Sequence, residues 1–155
     1  MKQTTATLSI WIIFVLFTAF IFYFSSIEDI GTAHNYSKAL ELTTYFLSFG
    51  FSSILLFRAL IYTFRFSVDR LSLANDKKEQ LEDAEFRLII EVILIFLTIS
   101  LNTNLVLVNH SIIEQSAGRD SSTYAVLLNI LGVSIFSFIS FVWPLLEKNI
   151  SIPKN

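Results

Sequence analysis

Residues 8–27 read LSIWIIFVLFTAFIFYFSSI, twenty consecutive positions without one ionisable side chain. At about 1.5 Å of rise per residue a helix of that length crosses a hydrocarbon core of about 30 Å. A secretory signal has a shorter apolar region, about 7–15 residues, followed by a small-x-small cleavage site, and none follows here. The stretch is therefore expected to stay as an anchor. Three further apolar blocks follow, Leu42 to Phe66, Leu88 to Val108 and Tyr124 to Leu146. Each exceeds the 9–11 residues of a barrel strand and lacks apolar/polar alternation, so helices are expected rather than strands. The reading is an all-α membrane protein, a single four-helix transmembrane domain over residues 1–155. Its helices pair as two antiparallel hairpins, and helices two and three continue into a short cytoplasmic hairpin over residues 67–87.

The rest of the composition narrows what such a chain does. Only 15% of its 155 residues are charged, against roughly 25% in an ordinary soluble domain. The formal charge of −2 argues against a polyanion binder, so no direct nucleic-acid binding is expected. With no cysteine, thiol catalysis, disulfides, iron–sulfur clusters and thiolate zinc sites are excluded. No Gly-rich phosphate loop, serine nucleophile motif, HExxH or paired carboxylates within a span occur, so no enzymatic activity, cofactor or catalytic residue is expected.

Lysine and arginine set the orientation. Lys2, Arg65, Arg70, Lys77, Lys78, Arg87, Lys148 and Lys154 fall on one side, against Lys38 and Arg119 on the other. Eight against two puts both termini and the central loop in the cytoplasm, with external loops over 28–41 and 109–123. The central segment SVDRLSLANDKKEQLEDAEFR is rich in helix formers, with a turn expected at Asn75-Asp76. Arg65 with Asp69, Lys78 with Glu82 and Asp83 with Arg87 stand four apart, as helical ion pairs do.

Polar residues inside spans come next, because an Arg at mid-span costs about 2.5–3.5 kcal/mol on insertion scales. Arg58 and Glu91 lie in adjacent spans near the same leaflet, so the expectation is an Arg58–Glu91 pair, with Arg65 and Arg87 at the water boundary. Fixing helix register is the expected use, with Arg58 reaching toward the headgroups; a gate or ion-coupling site is the alternative. Asn102 and Asn104 point about 200° apart on a helix of 100° per residue, so they do not line one pore together. Helix four carries Asn129, Val133, Ser137, Ser140 and Pro144 along one stripe, and helix two has Ser48 and Ser52 four apart. Small side chains there suit close helix packing, within the subunit or between copies. Helix one shows Trp11, Phe14, Phe17 and Phe24 on a broad aromatic face, suited to lipid or a neighbouring helix. His34 and His110 sit in external loops; His110 and Glu114, four apart, are short of the ligands a metal needs, so no metal site is expected. Asn35-Tyr36-Ser37 and Asn109-His110-Ser111 match the glycosylation sequon, a pattern that arises easily by chance.

The functional expectation is a non-enzymatic, homo-oligomeric subunit that docks a cytosolic partner through Lys77, Lys78, Glu79, Glu82 and Asp83. The alternative is a small oligomeric ion channel or transporter. A third is a membrane-embedded regulator or chaperone without fixed copy number. The cysteine-free helical hairpins, cytoplasmic termini and charged segment from Ser67 to Arg87 resemble, in architecture, the small four-helix membrane subunits of bacterial anti-phage systems such as Kiwa. That resemblance covers the whole chain. It implies an inner-membrane component that detects envelope disturbance and holds a cytosolic effector.

Overall fold

A computed structural model describes residues 2–26, 38–74, 84–117 and 123–150, and all of them are helical. The helices are α1 (Lys2–Ser26), α2 (Lys38–Ala74), α3 (Ala84–Ala117) and α4 (Thr123–Ile150). Each contains a segment long and apolar enough to cross a membrane: Thr4–Ser26, Leu42–Arg65, Leu88–Gln115 and Thr123–Pro144. A helix is the form such a segment takes in lipid because it satisfies its backbone N–H and C=O groups internally. Helical hydroxyls close on the same ladder: Ser25, Thr63 and Thr98 each donate to the carbonyl four residues back at 2.8 Å.

The bundle turns its apolar side chains outward. Leu16, Phe96, Phe138 and Trp143 are all more than 60% exposed or at that value, while Ser52, Ser53, Thr98, Asn102 and Ser137 are fully buried. In water this would be an inverted protein; in lipid the exterior has nothing to hide from, and polar groups find partners inside.

α2 is the central element. It packs on α1, α3 and α4, most extensively on α4. Of its most apolar segment 44% is buried, against 11% for α1. The α2–α4 joint interlocks at two glycines. A Cβ on Gly50 would lie 2.6 Å from the Phe136 ring, and one on Gly132 would lie 2.7 Å from the Phe46 carbonyl oxygen. Phe46 and Gly50 are four apart on α2, as Gly132 and Phe136 are on α4. Each ring thus fills the gap left by the opposite glycine, with the two phenyl rings edge to face at 5.9 Å. α1 is fastened to α2 by the Trp11 Nε1–H, which donates to Thr63 Oγ1 at 2.8 Å, and by the Phe17–Phe51 ring contact at 5.3 Å. Two apolar clusters lie along the axis, one of Ile21, Phe49, Val106 and Val133, the other of Phe57, Ile61 and Ile95.

Helix one already begins at Lys2 and α2 at Lys38, inside the expected external loop 28–41, and the widest difference from the sequence expectation is at the end of the third block. The third apolar block ends at Val108, but α3 stays helical to Ala117. The reason is its inward stripe: Thr98, Asn102, Val106, Asn109 and His110 are all buried at spacings of about one turn, so packing carries the helix past the point where hydropathy falls. Asn109 and His110 consequently belong to a helix and not to an external loop. Being buried in a helix, Asn109 offers no glycosylation acceptor in this fold.

Candidate functional site

Antiparallel helices of equal rise keep the sum of facing residue numbers constant, and this register decides which polar groups meet. Ser52 faces Asn102, its Oγ donating to Asn102 Oδ1 at 3.1 Å, and Arg65 faces Glu91 at 3.7 Å. Arg58 is thereby level with Leu97 and Thr98, about 9 Å along the axis from the Glu91 level at 1.5 Å per residue. The expected Arg58–Glu91 pair is corrected to Arg65–Glu91. The reach assumed for Arg58 overestimated what one side chain spans against a one-and-a-half-turn mismatch. Arg65 is 46% exposed, so the pair sits at the boundary and is worth under about 1 kcal/mol. Arg87 lies in the first turn of α3. Arg58 is half-buried.

The middle of the bundle is a polar layer. Asn102 holds it together: besides accepting from Ser52, its Nδ2 donates to the Thr98 carbonyl at 3.2 Å. Asn104 is exposed and donates back to the Ser100 carbonyl at 2.8 Å, so the two asparagines do point to different sides. Ser53 donates to the Gly50 carbonyl at 2.6 Å. On α4 the stripe of Asn129, Val133, Ser137 and Ser140 is buried within this one chain, while Ser48 on α2 is half-buried. The small-residue stripe is thus packed inside this chain. Pro144, the last member of the stripe, is exposed.

Several buried polar atoms have no partner among the described residues: Thr18 Oγ1, Asn109 Oδ1, His110 Nε2, Asn129 Oδ1, Ser137 Oγ and Ser140 Oγ. Thr18 is not among the residues the sequence singles out on helix one, whose aromatic face suits lipid or a neighbouring helix equally. The inward face is Phe14, Thr18, Ile21 and Ser25, all buried, whereas Phe24 is 41% exposed. The signal was present as two small polar residues seven apart in an otherwise apolar span. Gly50 and Gly132 were missed too, though both stand inside spans where glycine marks close approach.

Among the described residues, no three of His, Cys, Asp or Glu come together as a metal site would require. His110 is buried and Glu114 exposed. Lys77, Lys78, Glu79, Glu82 and Asp83, and with them His34 and the first sequon, lie outside the described residues. No protein family, no curated protein and no solved structure matches the chain.

Proposed function

We propose that the chain is a non-enzymatic, multi-pass subunit of a bacterial inner membrane that assembles with copies of itself and docks a cytosolic partner. In this reading the four helices form two antiparallel hairpins with both chain ends inside. The docking face is the charged connection carrying Lys77, Lys78, Glu79, Glu82 and Asp83. The observation that carries it is the overrun of α2, which is longer at its C-terminal end, on the Lys/Arg-rich side, than at residues 38–42. Its apolar segment ends at Arg65, yet the helix continues over residues 66–74, about 13 Å further at 1.5 Å per residue. α3 likewise begins at Ala84, ahead of its apolar segment at Leu88. Both overruns lie on the Lys/Arg-rich side, which supports a charged connection accessible to a cytosolic protein. The architectural resemblance to four-helix subunits of anti-phage systems adds the role of a sensor or anchor in that defence.

The test is the mass of the native assembly extracted in mild detergent. The expected result is a multiple of 17.7 kDa plus a partner mass, with the partner lost when Lys77, Lys78, Glu79, Glu82 and Asp83 are all changed to alanine. A partner mass retained by that variant removes the docking reading.

A second reading, a small oligomeric channel or transporter, is favoured by the polar interior. Ion flux into liposomes carrying the purified chain separates the two: the docking subunit leaves the vesicles tight.

A further inference from the structure

Inside a membrane, a helical serine or threonine has a partner close at hand, the carbonyl four residues earlier on its own helix. Ser25, Thr63, Thr98, Ser111 and Ser134 all use it, at 2.8 to 3.1 Å. Thr18, Ser137 and Ser140 do not. Their residues are 9%, 0% and 4% exposed, and their hydroxyl oxygens have no partner among the described residues. A buried polar group left unpaired is destabilising. Turning about one side-chain bond toward the helix's own carbonyl is the usual remedy, so hydroxyls directed away from it point to a partner outside the chain.

Ser137 and Ser140 lie one turn apart on α4, and Thr18 stands at a similar height on α1, which packs on α2 and α3. The Gly50–Phe136 and Phe46–Gly132 contacts fix α4 parallel to α2, placing Ser137 level with Phe51 and Ser140 level with Ile54. Thr18 follows Phe17, whose ring meets Phe51. The Ser52–Asn102 hydrogen bond stands at the same height. Pro144 adds an acceptor: lacking an N–H, it leaves the Ser140 backbone carbonyl without its helical donor. Dry layers bracket this level, Ile21, Phe49, Val106 and Val133 toward the far end, and Phe57, Ile61 and Ile95 toward the Arg65–Glu91 end.

We propose that this middle layer holds a binding site for water on α4, which hydrogen-bonds Ser137 Oγ, Ser140 Oγ and the Ser140 carbonyl and is sealed between the two apolar clusters. The ligand is neutral because the donor set is: hydroxyls, an amide and a carbonyl, with Arg58 one turn beyond Ile54 disfavouring a cation. Hydroxyls and a freed carbonyl give a buried water the two to four partners it needs. The site does not depend on the docking role.

The absence of cysteine makes the test direct, because a single introduced thiol then gives the only S–H stretch in the infrared spectrum. Ser137→Cys and Val133→Cys, equally buried at 0%, are each reconstituted into lipid vesicles and hydrated with D₂O. Exchange of S–H to S–D at position 137 is expected to be faster than at 133 by roughly an order of magnitude, since local water and not global opening supplies the deuteron. Ser140→Cys should follow position 137. Equal rates at 133 and 137, or no exchange at either, overturn the proposal. Should Ser137→Cys fail to fold, water-to-protein polarisation transfer in solid-state NMR of the unsubstituted chain reads the same contrast between Ser137 and Val133, and equal transfer to both overturns it.

Discussion

At Gly132 the structure has no room for one methyl group, because the nearest atom is a backbone oxygen of the neighbouring helix and not a side chain that swings away. Gly132→Ala must push α2 aside, an overpacking cost of about 1–3 kcal/mol. Gly50→Ala meets only the Phe136 ring, which has freedom to tilt, so its cost should be smaller. Unfolding in detergent measures both, and a Gly132→Ala chain as stable as the parent would contradict the interlock. The charged residues make an opposite prediction. Arg58 bears the cost of a cation within a span and makes no ion pair among the described residues, so Arg58→Leu is expected to raise the unfolding midpoint. Glu91→Gln, at a half-exposed boundary pair, should shift stability by under about 1 kcal/mol. A large loss from Arg58→Leu would assign that arginine a partner and reopen its role.

Among the elements, α1 is the least embedded, and the Trp11–Thr63 hydrogen bond gives its contact with α2 direction. Thr63→Val keeps the shape and removes the acceptor. Interhelical bonds of this kind average about 0.6 kcal/mol, so a loss near that size, coupled to Trp11→Phe in a double-mutant cycle, is the expected outcome. The existence of all four helices was legible from uninterrupted apolar runs, since lipid leaves a spanning chain few alternatives. Their ends and facing were harder to read. α3 outlasts Val108 because Asn109 and His110 continue a buried stripe, and hydropathy cannot see a polar residue that faces inward. The Arg65–Glu91 pairing depends on the relative height of two helices, which no local pattern encodes. The aromatic residues of α1 drew attention by size, while Thr18, small and polar, marked the face that packs.

As a whole molecule the chain is greasy outside and polar within, so it should precipitate when stripped of amphiphile, and its two ends should label from one side. Cysteines replacing Lys2 and Asn155 are expected to react with a membrane-impermeant reagent from the same face of sealed vesicles; reaction from opposite faces would leave an odd number of crossings. The glycine-keyed joint between α2 and α4 bears on how the protein is made. Its halves are separated by the whole of α3, and they run in the same direction. During synthesis the groove around Gly50 must therefore wait in lipid, filled by acyl chains or an insertase, until residues 132–136 have left the ribosome. The tightest seam of the bundle closes last, and a ribosome stalled before α4 would present an incomplete protein with its central helix unclasped.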